Sequence, residues 1–359
     1  MLETWPRPRF NGTRHQTTCG GHGDEPMLHT PQSGLDQSHY RLVANEILDG
    51  RVIPFLGAGI NLADREDPKK WTPPALPSGG ELAEYLAERG EYPDGEARDL
   101  VRVSQFMGAV LGPLRLYGAL HDIFAADYGP NIVHQFLARL PAVLRARGKK
   151  QLLVITTNYD DTLERALDVR GEDYDVVYYE AKRGDENWGK LFHRRARSDT
   201  CKRIKRPNDY RDLDPETRPV VLKIHGAVNR KEPSADSYVI TEDDYIDYLS
   251  HNQVSKLALL TARLMNSHCL FLGYSLQDWN LRVILNQIWG ERRLPAKSWA
   301  VQMPDPRRSQ MSIDVERELW DDRGKVALMF EPLSDYIAKL DALIPEPETE
   351  SAATTDEAA

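Results

Sequence analysis

Cysteine is scarce in this chain: Cys19, Cys201 and Cys269 are the only three among 359 residues, and no two of them have C-x-x-C spacing. That excludes a disulfide framework and a four-cysteine zinc site, and it fits a reducing compartment. Long apolar runs are missing as well, both at bilayer-spanning length and at the amino terminus, where a signal peptide would carry one. The expected setting is the cytoplasm, with no membrane contact. Positive charge is in deficit, with 46 Lys and Arg against 55 Asp and Glu, for a net charge of −9. A chain drawn to a nucleic-acid backbone by charge would show the opposite balance, so nucleic acid is left an indirect route or a local basic patch.

What is present is an alternation of strand-like and helix-like segments. Residues 1–37, rich in Gly, His, Pro and Thr without a hydrophobic period, read as a disordered extension in which Met27 rivals Met1 as the natural start. Residues 345–359 read as an acidic disordered tail. Between them, over 38–344, apolar runs predict strands at Arg51–Leu56, Leu152–Ile155, Asp175–Tyr179, Val220–Ile224, Ser237–Ile240, Cys269–Leu272, Ser298–Gln302 and Val326–Phe330. The intervening periodicity predicts helices at Tyr40–Leu48, Gly80–Arg89, Asp160–Leu167, Glu242–Leu249, Gln253–Asn266, Gln277–Gln287 and Ser312–Asp321, with a helical module over 97–144. This order gives an α/β fold, a Rossmann-like, doubly wound, mainly parallel sheet with a helical side module and no zinc ribbon. Residues 182–218 break the pattern with ten Lys and Arg from Lys182 to Arg206, interleaved with Trp188, Phe192 and His193. They read as a solvated insertion, or more sharply as a docking surface for a partner or nucleic acid.

Three strings follow directly on predicted strands: Gly57-Ala58-Gly59-Ile60-Asn61, Thr156-Thr157-Asn158-Tyr159-Asp160, and His225-Gly226. At the carboxyl edge of a parallel sheet they would converge on one crevice. The glycines suit a tight turn, and equally the approach of a pyrophosphate to backbone N–H groups with Asn61 as an added polar contact. Asn158 or Asp160 can cap the following helix. In a dry crevice, the Asn158 amide can instead hold ribose hydroxyls and an attacking water while a C–N glycosidic bond breaks. His225 is either a satisfied buried polar group or a neutral general base facing a ribose.

Taken in order, Gly57-Ala58-Gly59, Thr157-Asn158-Tyr159-Asp160, His225-Gly226 and Gly273-Tyr274-Ser275 resemble the signature of the silent-information-regulator (sirtuin) family, in its bacterial sirtuin-like branch. The resemblance spans 51–302. It implies that Gly57, Ala58, Gly59, Gly273 and Ser275, with Asn61, Thr157 and Tyr274 beside them, hold NAD. It implies that Asn158 serves the nicotinamide ribose, that His225 is the catalytic base and that Asp160 faces the nicotinamide amide. Leu76-Pro77-Ser78 resembles the loop lining the nicotinamide pocket. Asn61 stands where the family has Ser, Tyr159 where it has an aliphatic residue, and the zinc cysteines of the deacetylating branch are absent.

These departures favour water as acceptor and imply an NAD glycohydrolase of the anti-phage type, with NAD as substrate and no metal. A deacylase or ADP-ribosyltransferase, and a non-catalytic NAD- or ADP-ribose-sensing module, are the alternatives. Because an unrestrained NAD hydrolase would poison its own cell, the resemblance also implies gating. The expected means is a homo-oligomer or a separately encoded partner such as a HerA-type ATPase or a short Argonaute.

Overall fold

A computed structural model describes residues 33–65, 71, 75–93, 97, 99–184, 186–251, 256–274, 297–304 and 309–346. Its centre is a nine-stranded sheet in the order β11-β10-β9-β1-β2-β6-β3-β4-β5. The strands are β1 (Val52–Leu56), β2 (Leu153–Thr156), β3 (Asp175–Tyr179), β4 (Leu191–Arg195), β5 (Cys201–Arg203), β6 (Val220–Lys223), β9 (His268–Leu272), β10 (Ser298–Gln302) and β11 (Val326–Phe330); β7 (Gly226–Ala227) and β8 (Ser237–Tyr238) form a separate hairpin. From β11 to β3 every neighbour is parallel, whereas β4 and β5 extend the sheet antiparallel at one edge. This is the mainly parallel, doubly wound sheet that the alternation predicts.

The strands are apolar on both faces because helices cover both. Alternate residues serve opposite layers. Val52, Leu56, Val154, Val221, Leu270 and Leu272 pack with α1 (Ser33–Leu48), α5 (Ile132–Ala146), α6 (Thr162–Val169) and α10 (Leu333–Asp341). Ile53, Phe55, Ile155, Leu222 and Phe271 pack with α7 (Glu242–His251), α8 (Ala258–Met265) and α9 (Gln310–Gly324). Pro54 is tolerated in a central strand because β2 is in register with β1 only from Phe55 onward.

The helices over 97–144 divide. α2 (Gly79–Gly90), α3 (Leu100–Val110) and α4 (Pro113–Phe124) share their own apolar cluster, joined by Tyr159 and Tyr238, whereas α5 buries Val133, Phe136, Leu137 and Leu140 against the sheet. The side module is therefore α2–α4. It is pinned to the sheet by Arg230, whose guanidinium holds both Asp161 carboxylate oxygens at 2.6 and 2.8 Å and the carbonyls of Ala125 and Ala126.

The basic insertion is not a bare loop, since it supplies β4 and β5. Arg183, Arg195, Arg197 and Lys202 make ion pairs with Asp247, Asp173, Asp168 and Asp212, and buried Asp175 accepts from His193 and Arg218 at 2.9 Å each. α1 begins at Ser33, inside the stretch read as disordered. The predicted helix at 277–287, most of the first turn of the one predicted at 253–266, and residues 1–32 and 347–359 lie outside the described residues. Among the described residues no helix is long and apolar enough to cross a membrane, and no His, Cys, Asp and Glu group could hold a metal ion.

Candidate active site

The chain leaves β1 toward β2 on one side, and β9 returns on the other, so the sheet's crevice opens at the carboxyl ends of β1, β2, β9 and β6. A cavity of about 1060 Å³ lies there, at the upper end of the usual ligand-pocket range. It is lined by Gly57, Ala58, Gly59, Asn61, Thr157, Asn158, Asp160, His225, Gly273 and Tyr274 together. Of the candidate site residues only Ser275 falls outside the described residues.

The glycines have an internal use that the structure displays directly. A Cβ on Gly57 or Gly59 would lie 2.8 or 2.6 Å from the Gly273 carbonyl oxygen, so the 57–59 turn and the end of β9 pack backbone to backbone. Gly57 N–H donates to Leu272 O at 3.0 Å and Gly59 N–H to Gly273 O at 2.9 Å. Those two donors are engaged within the protein, which leaves a pyrophosphate other groups to meet first. Tyr274 closes over the same turn, donating its hydroxyl to Thr157 at 2.9 Å, while Gln302 Nε2 donates to its carbonyl at 2.8 Å. Asn61 Nδ2 donates to Pro77 O at 2.8 Å and ties the turn to the 76–78 loop; its Oδ1 is buried without a partner. Ser78, in that loop, closes the capping box of α2 with Glu81.

Asn158 sits on the turn between β2 and α6. Its N–H donates to Thr156 Oγ1 at 2.9 Å and its Nδ2 reaches Gly57 O at 3.4 Å, while its Oδ1 is buried with no hydrogen-bond partner. Asp160 lies one residue before the N-cap of α6, Asp161; its Oδ1 accepts the Thr162 N–H at 3.0 Å in an Asx turn, and it also lines the cavity.

His225 follows β6 in the turn that enters the β7–β8 hairpin. Gly226 beside it has φ of +95°, and a Cβ there would lie 2.1 Å from Ser237 O. The close approach that demands glycine thus comes from the chain's own β8. The His225 ring stands edge-on to Tyr245 and Tyr248, each with its centroid 5.3 Å away, and its Nε2 is buried without a partner. Burial pushes the imidazole pKa down to about 3, so it is neutral at physiological pH. His134, on α5, is lowered to about 4 by burial.

A buried polar atom with no partner is uncommon and implies either strain or a ligand. Here three such atoms, Asn61 Oδ1, Asn158 Oδ1 and His225 Nε2, belong to residues lining one cavity. Ribose hydroxyls and a water supply the donors and acceptors these atoms lack. The residues present therefore fit a nucleotide sugar. Sequence reasoning missed Tyr245 and Tyr248, although their i, i+3 spacing places both rings on one helix face, and it missed the buried pair Lys223–Glu164 at 2.9 Å.

Comparison with known proteins bears on the family. Residues 152–327 match the family described as SIR2-like domain, a span that includes Asn158 and His225 and begins after the glycine turn. Defense-associated sirtuin 2 of Bacillus subtilis is 25% identical over 242 residues, covering 67% of this chain and 19% of the relative. Proteins named NAD(+) hydrolase ThsA are similar too. That of Cytobacillus dafuensis is 28% identical over 207 residues (58% of this chain, 34% of the relative), and that of Acinetobacter baumannii 26% over 247 residues (68% and 41%). The matched region thus spans less than half the length of these relatives. With its parallel sheet, its crevice and this match, the chain carries, over residues 152–327, a region that matches the SIR2-like domain.

Proposed function

We propose that the chain is an NAD glycohydrolase that acts as a gated, NAD-depleting effector in bacterial defence against phage. The observation that carries the reading is the pair of unpartnered buried atoms, Asn158 Oδ1 and His225 Nε2, on residues lining a single cavity. The names of the similar proteins, NAD(+) hydrolase and defense-associated sirtuin, support the substrate and the setting.

The reaction converts NAD and water to nicotinamide, ADP-ribose and a proton. As the bond between the ribose anomeric carbon and the nicotinamide nitrogen breaks, nicotinamide takes the bonding pair and positive charge develops on the sugar. Asn158 contributes its free carbonyl to that sugar's hydroxyls and to the attacking water, while its Nδ2 stays on the Gly57 carbonyl. His225, neutral in its aromatic surround, accepts a hydrogen bond from the water or from a ribose hydroxyl, and the proton leaves along that contact. Thr157, tethered to Tyr274, and Asp160 complete the rim. Gating, by self-assembly or by a separately encoded partner, belongs to the proposal because constitutive hydrolysis would exhaust the cell's own NAD.

The test is product analysis by mass spectrometry with the full chain, alone and across its assembly states, together with its genomic neighbour. Free ADP-ribose and nicotinamide are expected, with turnover lowered about 100-fold or more in Asn158→Ala and His225→Ala while binding of NAD persists. ADP-ribose attached to a protein, or the absence of turnover in every assembly state, would contradict the reading.

A further inference from the structure

We infer that Lys223 is a positioning residue that sets the turn bearing Asn158 against the strand bearing His225, an inference that rests on the NAD-cleaving reading of the site. Lys223 ends β6, two residues before His225, in parallel register with Thr156 at the start of the Thr156–Asp160 turn. Its side chain is 2% exposed. The ammonium donates to the main-chain carbonyl of Asp160 and pairs with Glu164 Oε1 at 2.9 Å, Glu164 being 5% exposed and on α6. One buried group therefore joins the His225 strand, the end of the Asn158 turn and the helix that follows.

Asn158 needs such a tether. Its side chain has one long contact, 3.4 Å to Gly57 O, so the direction of its free oxygen depends on where the backbone turn is held. The turn is fixed before Asn158 by Ile224 N–H on Thr156 O at 3.0 Å and Thr157 N–H on Leu56 O at 3.1 Å. Beyond Asn158 it is fixed by Val228 N–H on Tyr159 O at 2.9 Å together with Lys223 on Asp160 O, a side-chain tether that also reaches α6. A buried ion pair is a poor device for stability, since an apolar pair of similar volume often folds as well or better. What it supplies here is a fixed spacing between the two reacting side chains, and a displacement of about 1 Å in such a constellation can lower a rate about 100-fold.

The test is the double variant Lys223→Met with Glu164→Leu in the full chain, which removes both charges and leaves no lone buried ion. Melting temperature, kcat and KM for NAD in the active assembly, and deuterium exchange of amides 157–162 are measured. The expected result is a melting temperature at or above that of the wild type, kcat lowered about 100-fold, KM within about threefold, and exchange at 157–162 accelerated about tenfold. Glu164→Gln, which keeps an acceptor for Lys223 but leaves its charge uncompensated, is expected to melt below the wild type and, assayed well below that melting temperature, to retain kcat within about threefold. Wild-type kcat and exchange in the double variant, or a 100-fold loss in Glu164→Gln, would overturn the inference. If the wild type itself cleaves no NAD, the catalytic reading falls, and the exchange rates still decide whether Lys223 positions the turn.

Discussion

Lowering the pH from 7.5 to 5.0 should destabilise the folded chain through two histidines that are buried in neutral form. Each has an ordinary pKa of 6.5, reduced in the fold to about 3 at His225 and about 4 at His134, in both cases chiefly by burial. The unfolded chain takes up a proton at each site as the pH falls through 6.5, while the folded chain takes up neither until near 4 or 3. Stability is therefore fully present above 6.5 and lost progressively below it. Linkage puts the loss at about 2 kcal/mol per histidine between pH 7.5 and pH 5.0, a substantial part of the 5–15 kcal/mol that typically holds a domain together. The assay is urea unfolding at both pH values for the wild type and for His225→Phe, which keeps a ring in the aromatic surround and removes the titration. The variant should lose about 2 kcal/mol less than the wild type over that interval. An equal loss in both proteins would show that His225 is not held neutral by burial, and the argument for its state in the crevice would fail.

Other expectations follow from the same geometry. Gly226→Ala places a Cβ 2.1 Å from Ser237 O at a φ of +95°, so it should destabilise by about 3 kcal/mol or more, read as a fall in the denaturation midpoint. Asp161→Asn weakens the grip of Arg230 and Arg165 on the 125–128 turn. It should lower stability by about 1 kcal/mol, allowing for the partial exposure of these groups, and speed proteolysis within α2–α4.

The parts of the fold legible in the sequence are those whose burial is symmetric. β1, β2, β6 and β9 lie between two helical layers, so each is a short apolar run such as Leu153–Thr156, and the string that follows each run marks the crevice. β4 and β5 were not legible. Leu191–Arg195 alternates buried and more exposed positions on an antiparallel edge, where Arg195 pairs with Asp173 and His193 hydrogen-bonds Asp175, a composition that by itself reads as a solvated loop. The helix Leu333–Asp341 carries the helical period in Leu333, Tyr336, Ile337 and Leu340, yet its proximity to the acidic tail concealed it. In the site, Asn158 and His225 could be singled out because each lies just past the end of an apolar strand, two residues beyond β2 and β6 respectively. The aromatic surround of His225 and the Lys223 tether could not, because they depend on how α7 and α6 fold back over the strands. The glycines at 57, 59 and 226 were readable as points of close approach. Sequence could not tell that the approaching group is in each case the protein's own backbone.

The most direct test of the account is a crystal structure of the full chain, with His225→Ala preventing turnover, in complex with NAD. It should place Asn158 Oδ1 within about 3 Å of the ribose that carries nicotinamide, with the space vacated at residue 225 facing that same sugar. Electron density that puts this ribose outside the crevice, or on the far side of the 57–59 turn from Asn158, would contradict it.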